Sequence, residues 1–289
     1  MITKKAIRII MSFALILSIL FVSGCSNDNK DESNKPIIAV SIVPEQTFVK
    51  AVCGDLAEVI AMIPPGNSPE NYEPTPKEME QFSKASIYFT IGVPTEEANI
   101  LPNVRDIKVV SLQNEVASVY ADRTFGSGER DPHIWLSPKR VKVMIEAIAH
   151  EMSKLDPKNE ITYSENAKAY NEQLDELDGQ IQSALTGVQS KKFIVYHPAF
   201  GYLADDYGLT MYALEDEGKE ATPQHLQEMI DLAKEENIKA IFYQEEVDSS
   251  QSEAFAEEIG GKTIQLAPLA AEYIGNLRSM AETMAEVMQ

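Results

Sequence analysis

The 289-residue sequence has two cysteines, four histidines and one tryptophan. Two cysteines, at positions 25 and 53, exclude a disulfide framework. Basic residues are also scarce, 25 against 45 acidic ones, for a formal charge of −20. Such a surface repels phosphate backbones and anionic headgroups, so nucleic acid is excluded as a partner. Solenoid repeats are absent. So are a His-Glu-x-x-His zinc-protease motif and a serine nucleophile elbow, which argues for a binding protein and not an enzyme. The longest apolar run, Ile9 to Val22, has 14 residues and is short for a membrane span.

That run follows Lys4, Lys5 and Arg8 and ends in Val22-Ser23-Gly24-Cys25. A basic start, a short apolar core and small residues at its end are the parts of an export signal. The tetrapeptide resembles the lipobox of bacterial lipoproteins. Residues 1–24 are therefore expected to be a signal peptide, with Cys25 carrying a lipid that anchors the chain outside the cytoplasm. Residues 26–35 hold no apolar side chain before Pro36. With Cys25 they form a polar tether, 25–35, unable to bury a core.

From Pro36 onward the chain alternates short β-rich runs with helical patterns. Strands are expected near Ile37–Val43, Ala57–Ile63, Ser86–Ile91 and Ile107–Leu112, with helices between. Alternation of this kind implies a mostly parallel sheet flanked by helices. The pattern then changes. Tyr170, Leu174, Leu177, Ile181 and Leu185 recur every three or four residues, one apolar stripe on a helix about 40 Å long. After it the alternation restarts, with strands near Phe193–Tyr196, Leu209–Leu214, Ile238–Tyr243 and Thr263–Leu266. The expected architecture is α/β with two lobes: 36–155, a long rigid helix within 156–188, and 189–289.

Few residues can carry chemistry. Cys53 follows an apolar stretch, as a small buried hydrophobe does. His150 and His225 sit on helices among polar neighbours and are expected at the surface. His133, in Asp131-Pro132-His133-Ile134-Trp135-Leu136, lies in a loop entering a helix. His197 directly follows a strand. Both stand where open α/β sheets collect ligands, and two imidazoles from separate lobes can close on one ion. Carboxylates follow two further strands, at Glu70 and at Glu245-Glu246, and are costly there unless paired or bound to a cation.

The segments Pro64–Pro76, Asp131–Pro138, Tyr196–Leu209 and Ile241–Leu269 carry a family resemblance. Pro-Gly-x-x-Pro-x-x-Tyr-Glu-Pro-x-Pro and Asp-Pro-His-x-Trp-Leu-Ser-Pro, at these spacings, resemble the zinc/manganese solute-binding lipoproteins of ABC importers. The resemblance implies capture of a divalent transition metal and its delivery to a permease in the same membrane, by a monomer. It also implies one metal ligand per segment. His133 and His197 match the second and third. The first is normally histidine, and this chain has Glu70. The fourth is often an aspartate before Pro-Leu, where this chain has Ala267; some members use a glutamate after the preceding strand, which matches Glu245, with Glu246 as the alternative. The ligand set this implies is Glu70, His133, His197 and Glu245. Two imidazoles and two carboxylates suit Zn²⁺, and the Irving–Williams order favours it over Mn²⁺. Mn²⁺ is the alternative, because Glu70 adds an oxygen donor.

Overall fold

The structure is a computed structural model and describes residues 35–215, 219, 221–246 and 250–289. The expected signal peptide, Cys25 and the tether up to residue 34 lie outside the described residues. Pro36–Gln289 forms one compact unit.

Strand β1 (Ile37–Val40) leads into helix α1 (Val43–Cys53), β2 (Glu58–Ala61), α2 (Pro76–Phe82), β3 (Ile87–Thr90), β4 (Lys108–Ser111) and α3 (Leu112–Ala117). The four strands form one sheet in the order β2-β1-β3-β4, and every pairing is parallel. Their side chains explain the choice: Ile38, Ala39, Val40, Tyr88 and Phe89 are fully buried. A strand covered on both faces reads as a continuous apolar run, as a parallel sheet requires.

Helix α4 (Pro138–Leu155) and the long α5 (Glu160–Thr186) then cross the molecule. The apolar stripe of α5 is buried from Tyr170 to Leu185. Each fully buried leucine or isoleucine in it contributes roughly 1.5–3 kcal/mol. The second sheet follows: β5 (Lys192–Val195), α6 (Gly201–Tyr207), β6 (Thr210–Ala213), α7 (Pro223–Glu235), β7 (Ala240–Gln244), α8 (Ser250–Glu258), β8 (Lys262–Leu266) and α9 (Tyr273–Val287). Its order is β6-β5-β7-β8, again all parallel. The long central helix between two α/β sheets is thus as the sequence implied.

The two lobes share a core. One cluster of buried side chains includes Ile38 and Phe89 of the first sheet, Leu174 and Leu177 of α5, and Phe193 and Phe242 of the second sheet. Polar ties add to it. Arg140 on α4 donates to Asp206 on α6 at 2.9 Å. Trp135 Nε1 donates to the Pro268 carbonyl at 2.9 Å, and Tyr273 OH donates to the Trp135 carbonyl at 2.6 Å.

Helix starts follow local chemistry. Thr75 caps α2 by accepting from the Glu78 amide, and the Glu78 carboxylate returns the bond to the Thr75 amide. Thr222 caps α7. Helix α1 begins earlier than its apolar spacing implies, with Pro44 in its first turn and the Glu45 carboxylate accepting the Ser41 and Ile42 amides. Cys53 ends α1 and is buried, and burial pushes its thiol up to about 12. Among the described residues no helix is long and apolar enough to cross a membrane.

Candidate metal centre

Most of the polar side chains that meet between the lobes come from beyond the C-terminal ends of parallel strands. Glu70 lies in the proline-bounded loop after β2. His197 follows β5, Glu215 follows β6, and Glu246 follows β7. His133 arrives separately, just before the 3₁₀ turn Ile134–Leu136 that enters α4.

Each histidine is oriented by a carboxylate. Asp131, fully buried, accepts at one oxygen both the His133 amide, at 2.9 Å, and Nδ1, at 2.7 Å. Glu215 holds His197 Nδ1 at 2.8 Å. A carboxylate only accepts, so both rings carry a proton on Nδ1 and turn the other nitrogen inward. The two Nε2 atoms then face each other at 3.2 Å. Glu70 Oε1 lies 3.6 Å from His197 Nε2. Donor atoms of Glu70, His133 and His197 all fall within 4.8 Å of one another.

This geometry fits a small cation. Two unprotonated imidazole nitrogens at 3.2 Å repel unless a proton or a metal lies between them. A tetrahedral ion with bonds of about 2.0–2.1 Å sets its ligand atoms about 3.3–3.4 Å apart. The observed separations bracket that value. The electrostatics agree. Burial disfavours a charge on His197, but the bond to Glu215 and the charges of Glu70, Glu215 and Asp131 outweigh it and raise its pKa. The site attracts positive charge.

The donors open on a cavity of about 220 Å³ that Gln244 and Glu246 also line. Gln244 is buried, and among the described residues its amide nitrogen has no hydrogen-bond partner. Glu246 Oε2 is likewise buried and unpartnered among the described residues. Burial, and then the neighbouring charge of Glu245, raise the Glu246 carboxyl above its usual range. Glu245 is exposed and does not line this cavity. The structure therefore brings together Glu70, His133 and His197, with Glu246 at the rim, and leaves Glu245 outside the group. His150 is exposed, whereas His225 is half-buried and its Nε2 bonds the Ala213 carbonyl at 2.9 Å.

Asp131 and Glu215 were not expected as partners. Glu215 stands two residues past the end of β6, as His197 does past β5 and Glu246 past β7. Asp131 is the first residue of the Asp-Pro-His motif. Behind it, Arg123 reaches Asp131 at 3.3 Å and Asp205 at 2.7 Å. That packing leaves no room at Gly201, where a Cβ would lie 2.2 Å from the Arg123 Nε and 2.8 Å from an Asp131 oxygen.

A two-lobed α/β frame with a rigid spine, and between the lobes two buried histidines beside a half-buried carboxylate, defines a metal solute-binding protein. Comparison with known proteins agrees. Residues 38–287 match the family profile of the periplasmic zinc-uptake complex component A, ZnuA. The high-affinity zinc uptake system protein ZnuA of Bacillus subtilis is 29% identical over 272 residues, covering 87% of this chain and 85% of that protein. The zinc-binding lipoprotein AdcA of Streptococcus pneumoniae is 30% identical over 269 residues, 88% of this chain but 54% of that longer protein. A crystal structure of ZnuA superposes with a TM-score of 0.83 at 34% identity, covering 89% of this chain and all of that one. The chain belongs to the ZnuA family of zinc-uptake components. It is a metal-binding solute receptor of an ABC importer and not an enzyme.

Proposed function

We propose that this protein captures Zn²⁺ outside the cytoplasm with Glu70, His133, His197 and one carboxylate of the Glu245-Glu246 pair, and delivers it to the importer's permease. The observation that carries the reading is the convergence of two carboxylate-oriented Nε2 atoms, 3.2 Å apart, with Glu70 beside them. Of the acidic pair, Glu246 has the better claim, because it lines the cavity with an unpartnered oxygen. Imidazole donors at tetrahedral spacing favour Zn²⁺, and the Irving–Williams order adds to that preference. Mn²⁺ is the second reading, favoured by Glu70, which supplies oxygen where a histidine would supply nitrogen.

In this reading residues 1–24 direct export, a lipid on Cys25 holds the chain at the membrane, and residues 25–35 let a monomeric binding unit stand off the bilayer. The shared core and the spine oppose a wide hinge motion, so release proceeds by local movement of the donor loops when the permease docks.

Element analysis tests the ion. The protein, purified without added metal, should hold close to one zinc per chain, and a chelator should lower its melting temperature. With zinc at 100 times its Kd the stabilisation is about 2.7 kcal/mol. Glu70→Ala and Glu246→Ala should weaken zinc binding, and Glu245→Ala should leave it near wild type. Protein without transition metal and indifferent to chelation would defeat the proposal.

A further inference from the structure

Glu70 lies on a loop, not on a helix or strand, and among the described residues its own amide bonds only Ser68 Oγ, at 3.3 Å. What fixes it lies on either side. The Thr95 amide donates to the Pro69 carbonyl at 3.1 Å. The Thr95 hydroxyl accepts from the Tyr72 amide at 3.1 Å. One fully buried residue thus grips the loop immediately before Glu70 and two residues after it. Asn99 completes the hold by donating to the Tyr72 carbonyl at 2.8 Å.

Thr95 is itself well anchored. It opens a π-helical turn, Glu96–Ile100, a rare local geometry that interrupts ordinary helical bonding. The Glu96 side chain fastens that turn to the sheet. Its carboxylate accepts the Ile91 amide at 2.8 Å, the Gly92 amide at 2.9 Å and the Ser41 hydroxyl at 2.5 Å. Ser41 follows β1 and Ile91 follows β3, so the grip is referred to the two central strands of the first lobe.

We infer that Thr95 is a positioning residue for metal capture: its two bonds across the Glu70 loop set the Glu70 carboxylate against His197. This rests on Glu70 being a ligand. A flexible loop donor forfeits affinity, because its ordering must be supplied by the ion; partners one step behind a ligand are typically worth about 10–100-fold in metal affinity. Thr95→Val keeps shape and burial and removes only the hydroxyl acceptor, leaving the Tyr72 amide unpaired. Thr95→Ser keeps the acceptor.

The test is a cycle of four full-length proteins, wild type, Thr95→Val, Glu70→Ala and the double variant, with zinc Kd read by competition against a chromophoric chelator. Thr95→Val should weaken zinc binding about tenfold, Thr95→Ser should restore it to near wild type, and Thr95→Val should add nothing on the Glu70→Ala background. Should Thr95→Val fold poorly, Asn99→Ala, at a half-buried position, enters the same cycle with the same expectation. Wild-type affinity in Thr95→Val, or an equal loss with and without Glu70, overturns the inference. Glu70→Ala binding as wild type overturns instead the ligand assignment beneath it.

Discussion

Two carboxylates share the interior of the first lobe, and their titration can be read as stability. Glu45 is fully buried; one oxygen accepts the Ser41 and Ile42 amides at 3.0 Å, and among the described residues the other has no partner. Across Ser41 lies Glu96, also buried. Tyr88 faces the same spot through Ser41, its hydroxyl held far above its usual value by burial and by Glu96. Among the described residues no lysine or arginine pairs with either acid. Burial, then the charge of Glu96, lifts the Glu45 carboxyl well above its usual range. Burial lifts Glu96 from 4.5 to about 7, against its hydrogen bonds. The folded protein thus holds protons that the unfolded chain releases near pH 4.5. The contribution of Glu96 is fully present below that pH and is lost as pH rises through about 7. The Glu96 shift alone corresponds to about 3 kcal/mol. Glu45→Gln removes the separate contribution of Glu45, which comes from its burial and from the charge of Glu96. Its amide oxygen can accept both backbone bonds, while its NH₂ occupies the unpartnered position. The variant should exceed wild type in stability at pH 8 and match it near pH 4.5. Urea unfolding of zinc-free protein at both pH values measures the difference. Wild-type stability that does not fall between pH 4.5 and 8, or a variant less stable at both, refutes the reasoning.

Two further outcomes follow from the supports behind the ligands. Asp131→Ala should cost about 10–100-fold in zinc affinity, because His133 loses the partner that fixes its tautomer; a chelator competition series reads it, and an unchanged Kd would show that the ring is held by packing alone. Gly201→Ala should push Arg123 away from Asp131, destabilising the fold by about 1–3 kcal/mol and weakening zinc binding in parallel. Thermal melts with and without zinc separate the two effects.

The frame was legible because parallel strands buried on both faces are nearly unbroken apolar runs, and because α5 repeats its stripe over five buried positions. Helices α3 and α6 were not, since six or seven residues hold too few turns for a periodicity. His133 and His197 could be found from their places after a loop and a strand. Glu245 and Glu246 could not be separated: neighbours past a strand end point to different sides, and strand ends are uncertain by a residue or more. The π turn that Thr95 opens left no trace in spacing or composition. Its role depends on bonds to a loop more than twenty residues earlier.

The proposed donors, Glu70, His133, His197 and Glu246, stand on four separate segments that meet only when both sheets and α5 are in place. An unfolded chain therefore has no zinc site, and an ion cannot template any single element. Exported unfolded, as the proposed signal peptide implies, the chain would carry no cytosolic zinc away with it. On that reading the metal is the last part assembled, and each ion delivered is taken up on the far side.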